Sequence, residues 1–396
     1  MASTKSIKQQ GTSIPFYRDE RVLRIIAQVV STIIIVGFLI WAVLNFLRAA
    51  EARNMTLTFG FLKEAAGFPI SNPPIEYEPS MSFGRAFFVG LVNTLIVSVT
   101  GIIAATILGT LVALARLSSN WLLSRIALVF IEFNRNIPLL VLLFILYFVV
   151  FQNLPQVKDS IVWPGPIYLN RRGIYLTWAR LTDTGLPFVI LLSIGFILAI
   201  IAYTYLRRRR EISGRNTHFL PVSIGIFFVS GVIGWILSGG NPFQISIPEL
   251  QGFNFQGGLR LTPEFAGLFI GLTTYTAAFI AEVVRSGIQA VDRGQIEAAR
   301  AVGLSTMQVL SLVVMPQALR IIVPPMISQY LNLTKNSSLA LAIGFQEVFS
   351  VGKIAINQAG RAVPVFALVM LTYLTLSLLT SFVLNIYNRR IQFVTR

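Results

Sequence analysis

The most regular feature of this chain is a series of long apolar stretches separated by polar segments. Eight stretches approach the ~20 residues that an α-helix needs to cross a hydrocarbon core. The third has a helical lead-in from Leu122, and the seventh contains three prolines. The pattern predicts an all-α integral membrane protein with about eight transmembrane helices. They are Val22–Phe46, Val89–Ala115, Pro138–Phe151, Leu186–Leu206, Phe219–Leu237, Phe265–Ile288, Leu312–Leu333 and Val363–Tyr387.

The basic residues are concentrated in alternate polar segments. If the N-terminus is inside, the inside segments hold 20 of the 32 basic residues and 7 of the 16 acidic residues. Lys and Arg are retained on the cytoplasmic side of a membrane. We therefore expect residues 1–21 to form a cytoplasmic leader and, with an even number of spans, both termini to be cytoplasmic. This topology accounts for most of the net charge of +16 without nucleic-acid binding.

Three outside segments are too long to be simple turns between helices. They are Arg48–Ser82, Gln152–Gly185 and Gly239–Pro263, and prolines and aromatic residues recur in them. Aromatic residues in such positions usually lie at the membrane–water interface. The alternative interpretation is a surface that receives a soluble partner.

Composition agrees with a membrane protein and excludes several kinds of site. Charged residues make up 12% of the chain and hydrophobic residues 55%, whereas soluble domains carry roughly 25% charged residues. There is no cysteine, which excludes disulfides, Cys-ligated metals and thiol nucleophiles. The one histidine, His218, follows the basic run Arg207–Arg210 closely and is expected at the membrane surface. We predict no metal site. The sequence also argues against a membrane-embedded enzyme, because such an enzyme needs a convergent catalytic group and none is found.

One inside segment has a pattern of its own. Residues Gln295 to Arg300 have good helix propensity, Gly303 interrupts, and Ser305 is placed to cap a helix that begins at Thr306. We predict a short surface helix, a glycine break and a second helix.

The short helix has features that suit contact with a partner. Ala298 and Ala299 are small enough for close approach, and Glu297 is expected near the helix start, where it would suit the helix dipole. The alternative is an ordinary amphipathic loop.

The spacing in this segment is similar to the EAA loop of ABC-importer permeases. Glu297-Ala298-Ala299 is followed after three residues by Gly303, and after nine more by Val313 and then Met315-Pro316. Val313 stands where the family usually has Ile, and Met315 where it has Leu.

Four further segments resemble the polar amino-acid uptake permeases of this family, and the layout looks most like the general L-amino-acid permeases of Gram-negative bacteria. The segments are Asn93–Leu95, Phe133–Leu140, Thr276–Gly287 and Leu333–Leu339. The resemblance divides the chain into several parts. They are the leader 1–21, an extra first span 22–46, a first core part 89–151, an insert with two extra spans 152–264, and a second core part 265–390 that contains the docking loop 292–316.

The resemblance implies the transmembrane domain of a type I ABC importer in the bacterial inner membrane. It implies amino acids as substrates, a periplasmic binding protein that delivers them, and a second, related permease subunit, with a homodimer as the other possibility. It implies an ABC ATPase dimer that drives rigid-body rocking of the permeases. The residues that the resemblance assigns to ATPase docking are Glu297, Ala298, Ala299, Gly303 and Leu304.

A phosphate-binding loop is not found in this chain. The nearest candidate, Gly352-Lys353, would need glycine at Glu347 and Ser or Thr at Ile354. We expect ATP and Mg²⁺ to bind the partner ATPase and no cofactor to bind this chain. The rival hypothesis is a secondary amino-acid carrier, which would be coupled to ions and indifferent to ATP.

Ionisable residues within spans are costly and usually functional. Glu282 and Arg285 lie three residues apart, as do Glu132 and Arg135, so each pair could neutralise itself across one helical turn. The sharper hypothesis places a substrate carboxylate on Arg135 or Arg285 and a substrate ammonium on Glu282.

A third polar cluster follows the seventh span. Lys335, Asn336 and Ser337 are candidates for a periplasmic gate or for a contact with the binding protein. The alternative is a helix cap with an interface loop.

Overall fold

The computed structural model describes residues 20–52 and 58–391, and it is mostly helical. Lys5, Lys8 and Arg18 of the expected leader, and the terminal Arg396, lie outside the described residues. The helices are α1 (Glu20–Ala52), α2 (Phe83–Leu117), α3 (Trp121–Asn136), α4 (Leu139–Phe144), α5 (Leu186–Ser213), α6 (Phe219–Leu237), α7 (Pro263–Gln289), α8 (Arg293–Ala301), α9 (Thr306–Gln308), α10 (Met315–Asn336), α11 (Val348–Ala359) and α12 (Ala362–Ile391).

Within the described residues, seven helical segments are long and apolar enough to cross a membrane, and a bent pair raises the number to at most eight. The bent pair is α3 with the segment Leu139–Asn153, which meet at 105°. The expected lead-in from Leu122 is therefore a separate helix. Its end has a local cause, because the residue before a proline disfavours the helical conformation and Pro138 follows Ile137.

The seventh predicted span is a longer and less regular helix than expected. It runs from Thr306 to Ile343, with a π-helical turn at Val309–Val314 and a 3₁₀ turn at Ser337–Ile343. Pro324 and Pro325 lie inside α10.

The core of the bundle is formed by α2, α7 and α10 with the α3–α4 pair. Small residues allow these helices to approach closely. A side chain on Gly109 of α2 would lie 2.8 Å from the carbonyl oxygen of Ala277 on α7, and one on Gly287 of α7 would lie 2.3 Å from Ile322 on α10. These glycines fix how the three helices cross. The buried apolar residues of the cluster include Val97, Ala105, Ile131, Leu272, Ile280 and Leu333.

The helices that the sequence analysis identified as extra lie mostly outside this core. α1 has no buried residue in its apolar window, and most of α5 and α6 is exposed. α5 and α6 form a hairpin that packs chiefly on itself. Exposed apolar surface of this kind is stable in lipid. The expected domain boundaries remain a prediction.

Two of the outside segments form small β-sheets that the sequence analysis treated as loops. The strands are β1 (Ile161–Trp163), β2 (Ile167–Asn170), β3 (Gly173–Leu176), β4 (Trp178–Leu181), β5 (Phe243–Ser246), β6 (Glu249–Gln251), β7 (Asn254–Gln256) and β8 (Leu259–Leu261). All pairs are antiparallel, in the order β1-β2-β3-β8, with β4 beside β5 and β6 beside β7. Residues from both segments pair directly, as Ile174 does with Leu261.

The first outside segment packs onto the bundle. Phe61, Phe68 and Ile70 are buried in an apolar cluster with residues of α2, α11 and α12. The hydroxyl of Tyr77 donates to the carbonyl of Phe68, which closes this segment on itself. The segment therefore covers the N-terminal parts of these three helices.

Candidate functional sites: the Glu297 loop and the ionised cluster beside it

The loop between α7 and α10 has the predicted helix, glycine break and second helix. The Asp292 side chain caps α8 by accepting from the amide of Gly294 at 2.6 Å. Gly303 has φ of +83°, a backbone conformation that favours glycine. Ser305 caps α9 and exchanges hydrogen bonds with Gln308 in a capping box. Local chemistry therefore defines each boundary of the loop.

The side chains of α8 are divided between two faces. Glu297 and Ala298 are exposed, and beyond them Val302 and Met307 are 77% and 72% exposed. The expectation that Glu297 suits the helix dipole is wrong, because α8 begins at Arg293 and Glu297 lies beyond the first turn. The outer face of the loop thus combines one carboxylate with exposed apolar side chains.

Ala299 has a different position from the one expected for a partner contact. It is 7% exposed and belongs to the same apolar cluster as Val309 and Ala318. Leu304 is half-buried and packs against this cluster, and its amide donates to the Ala299 carbonyl at 3.2 Å. Ala299 and Leu304 therefore fasten the loop to the bundle of this chain.

An ionised cluster lies one helix before the loop. Glu282 is paired with Arg285 on the same helix at 2.7 Å, and Arg135 of α3 approaches its other carboxylate oxygen at 3.9 Å. Arg135 also lies over the ring of Phe279, with its guanidinium carbon 5.7 Å from the ring centre. Two guanidiniums thus share one carboxylate, which leaves the cluster a formal charge of +1.

This arrangement shows which of the two predicted local pairs forms within one helical turn. The self-neutralised pair Glu282–Arg285 is present. In the other predicted pair, Glu132 accepts from the Asn136 amide group at 3.1 Å, while Arg135 turns toward Glu282. Glu282 therefore already has two cationic partners, and the unsatisfied charge in the cluster is positive.

The third predicted cluster is not an open loop. α10 continues through Asn336 into the 3₁₀ turn. Ser337 is fully buried, and its hydroxyl donates to the carbonyl of Thr334 at 2.7 Å. Asn336 is half-buried and Lys335 is exposed, so of the three only Lys335 is open to a partner. A role in gating remains a prediction.

Sequence reasoning missed the role of Glu347, which it used only to reject a phosphate-binding loop. Glu347 is fully buried and caps α11 by accepting from the amides of Phe349 and Ser350 at 2.9 and 2.8 Å. It also accepts from the hydroxyl of Tyr373 on α12. Burial raises the pKa of the Glu347 carboxyl, while these hydrogen bonds oppose the rise. An acidic residue directly before the run Val348-Phe349 was the available signal for a helix cap.

The segment on either side of Glu347 is tied to the N-terminal half of α2. The side chain of Asn93 donates to the carbonyl of Gln346 at 2.8 Å, and the amide of Val348 donates to the hydroxyl of Thr94 at 3.3 Å. Gln346 in turn donates to Pro69 and accepts from Ser71. These bonds connect α2, α11 and the first outside segment. In the described part of the chain, no group of three or more His, Cys, Asp or Glu side chains is placed to hold a metal ion.

Comparison with known proteins gives consistent matches. Residues 195–393 match the family described as binding-protein-dependent transport system inner membrane component. The general L-amino acid transport system permease protein AapQ of Rhizobium johnstonii is 41% identical over 96% of this chain and 94% of its own length.

Two further relatives match over nearly their whole length. The putative amino-acid ABC transporter permease protein YhdX of Escherichia coli is 39% identical over 93% of this chain and 94% of its own length. The glutamate/glutamine/aspartate/asparagine transport system permease protein BztB of Rhodobacter capsulatus is 37% identical over 96% of each chain.

Proposed function

We propose that this chain forms half of an ATP-driven importer of L-amino acids. The premise is that the chain belongs to the binding-protein-dependent transport system inner membrane components and is an ABC-type amino-acid permease. It would lie in the bacterial inner membrane with both termini cytoplasmic. A periplasmic binding protein would deliver the substrate, and a second, related permease would complete the pathway. Names of the relatives, which refer to general L-amino acids and to glutamate, glutamine, aspartate and asparagine, favour broad substrates.

The observation that carries this proposal is the exposed face of the Glu297 loop. Glu297 and Ala298 project from a helix that is fastened by Ala299 to the bundle core. An exposed carboxylate with Val302 and Met307 beside it suits a groove that offers a cation and an apolar wall. We assign this face to the ATPase. Closure of the ATPase dimer would then displace α8 and, through it, α10.

A reconstitution experiment tests the proposal as a whole. The full-length chain with its co-expressed ATPase and second permease should take up labelled glutamate in proteoliposomes only when ATP and the binding protein are both present. Uptake driven by an ion gradient without ATP would overturn the proposal and favour a secondary carrier. Glutamine and an apolar amino acid, tested as competitors, measure the substrate range.

For the substrate we propose Arg135 as a contact for the amino-acid carboxylate. Glu282 already pairs with two guanidiniums, and Arg285 also donates to Gln289 at 2.6 Å. Arg135 is the more weakly held of the two cations, since its distance to Glu282 is 3.9 Å. A guanidinium with this freedom is suited to bidentate pairing with a carboxylate. The earlier assignment of the substrate ammonium to Glu282 is less favoured by this geometry.

Replacing Arg135 with glutamine should raise the apparent KM for glutamate uptake about tenfold or more, because a hydrogen bond to a charged group is worth roughly 1.5–3 kcal/mol. Arg125→Gln removes the same charge from an exposed position on the same helix and should leave the KM unchanged. Glu282→Gln, measured alongside, should change the KM less than Arg135→Gln. Equal KM values for wild type and Arg135→Gln would exclude Arg135 from the site.

A further inference from the structure

The hairpin of α5 and α6 is held together by close contact between its own two helices. A side chain on Gly195 would lie 1.7 Å from the hydroxyl of Ser230, and one on Gly234 would lie 2.9 Å from the Cα of Phe188. Apart from Gly195, Ser223 and Gly234, the described residues of the two helices are at least partly exposed. The rest of this chain therefore leaves most of the hairpin surface uncovered.

One face of this hairpin carries an apolar groove of about 490 Å³. Phe227 and Phe228 also line an adjoining apolar groove of about 310 Å³, which extends toward Phe188 and Trp235. Along α5 the larger groove runs from Tyr203 back to Phe196, roughly 10 Å at 1.5 Å per residue. That length fits within one leaflet of a hydrocarbon core that is about 30 Å thick. Its wall includes Phe196, Ala199, Ile200, Tyr203, Phe227 and Phe228.

Two arginines stand at one end of the groove. Tyr203, Arg207 and Arg210 are spaced by four and three residues, so they lie on the same face of α5 as the groove. Arg207 donates to the Tyr203 hydroxyl at 3.4 Å, and the guanidinium carbon of Arg210 lies 5.6 Å from the centre of the Phe219 ring. The Tyr203 and Phe219 rings are themselves in contact, 5.3 Å apart. The groove therefore ends in a basic, aromatic mouth.

The basic mouth selects for the charge of its ligand. Arg207 pairs with Glu211 at 3.2 Å, but both side chains are more than half exposed, so this pair contributes little and can be displaced. With Glu211 counted, Arg207 and Arg210 keep a formal charge of +1. Guanidinium groups pair bidentately with phosphate, and a zwitterionic headgroup would bring an ammonium close to two arginines.

We propose that this groove is a binding site for an anionic phospholipid. One acyl chain lies along Phe196, Ala199 and Phe228, and the phosphate pairs with Arg207 and Arg210. The complementary charge at the mouth, next to an apolar groove that continues into a second one toward Phe188, favours a lipid over a protein helix as the occupant. Clusters of Lys and Arg beside a transmembrane helix bind anionic lipids by the same electrostatics.

The chain contains its own matched control for this proposal. Arg208 and Arg209 belong to the same basic run but point to the other faces of α5. In native mass spectrometry of the full-length protein titrated with phosphatidylglycerol, Arg207→Gln with Arg210→Gln should weaken binding roughly 25-fold, about fivefold for each cation. Arg208→Gln with Arg209→Gln should weaken it less than about threefold. Equal losses in the two double variants, or equal wild-type affinity for phosphatidylglycerol and phosphatidylcholine, would overturn the proposal.

The groove itself is tested by Ala199→Trp, which fills its wall without changing charge. This variant should lose the bound phosphatidylglycerol while its elution volume in size-exclusion chromatography stays that of the wild type. Because the chain has no cysteine, a photoreactive thiol label attaches only at the new position of a Phe228→Cys variant, and it should react with lipid and not with protein. Efficient cross-linking of the labelled Phe228→Cys variant to another subunit, or retention of the lipid by Ala199→Trp, would show that the groove does not hold an acyl chain.

Discussion

Glu297→Ala is expected to weaken binding of the ATPase by roughly 2–5 kcal/mol, because truncating one partner of a desolvated charge pair leaves the other charge buried and unpaired. Glu297 is exposed in this chain and has no role in capping α8, so the loop should keep its fold. ATP-driven uptake should fall with the affinity. Co-purification of the ATPase with the permease, followed by titration of ATPase against the variant in nanodiscs, measures the effect.

Gln295→Ala is the matched control for this prediction. Gln295 is exposed on the same helix. It lies two residues before Glu297, so its side chain points to the opposite side of α8. Both changes shorten a polar side chain to the best helix former, so they alter the stability of α8 in the same direction. ATPase affinity that is equal for Glu297→Ala, Gln295→Ala and wild type would remove Glu297 from the interface.

The second large effect is expected at Glu347, where Glu347→Ala should destabilise the folded protein by about 2–4 kcal/mol. The change removes the acceptor for the amides of Phe349 and Ser350 and for the Tyr373 hydroxyl. Each buried donor left without a partner costs about 1–3 kcal/mol. Removing the carboxylate also removes the free-energy cost of burying it, which offsets part of the cost of the unpaired donors. The detergent-solubilised protein is heated to a series of temperatures, and size-exclusion chromatography then measures the fraction that stays folded. The difference in unfolding temperature between variant and wild type gives the effect.

Two variants separate this effect from a general sensitivity to lost carboxylates. Glu76→Ala removes an exposed carboxylate from the first outside segment and should leave the unfolding temperature unchanged. Glu347→Gln keeps an acceptor oxygen for the amides and should lie between Glu347→Ala and wild type. A wild-type unfolding temperature for Glu347→Ala would mean that the α11 cap does not stabilise the fold.

Several parts of the candidate site could be predicted because they depend on neighbouring residues alone. Gly303 and Ser305 define the second half of the loop through a positive φ and a helix cap. Each of these effects acts within a few residues. The prediction that Glu297 lies near the start of α8 was wrong. The exact start of a helix depends on which of several neighbouring residues caps it, and local preference alone does not decide that.

Contacts between distant residues could not be predicted in the same way. The i and i+3 spacing of Glu132 and Arg135 favoured a local pair, but packing of α3 on α7 brings Arg135 to Glu282. The β3–β8 pairing joins Ile174 to Leu261 across the intervening hairpin. Strands of only three or four residues are too short to give a periodic signal, and so the sequence analysis identified these segments as loops.

The sequence by itself determined that this protein spans a membrane many times and that its Glu297 loop consists of a helix, a glycine break and a second helix. Apolar length and local backbone preference are properties of contiguous residues, which explains this success. Only the tertiary structure decided that Ala299 faces its own bundle while Glu297 faces outward, and that Glu347 is buried against Tyr373. Those outcomes depend on which helices are in contact. Close approach at residues such as Gly109 and Gly287 determines which helices pack together.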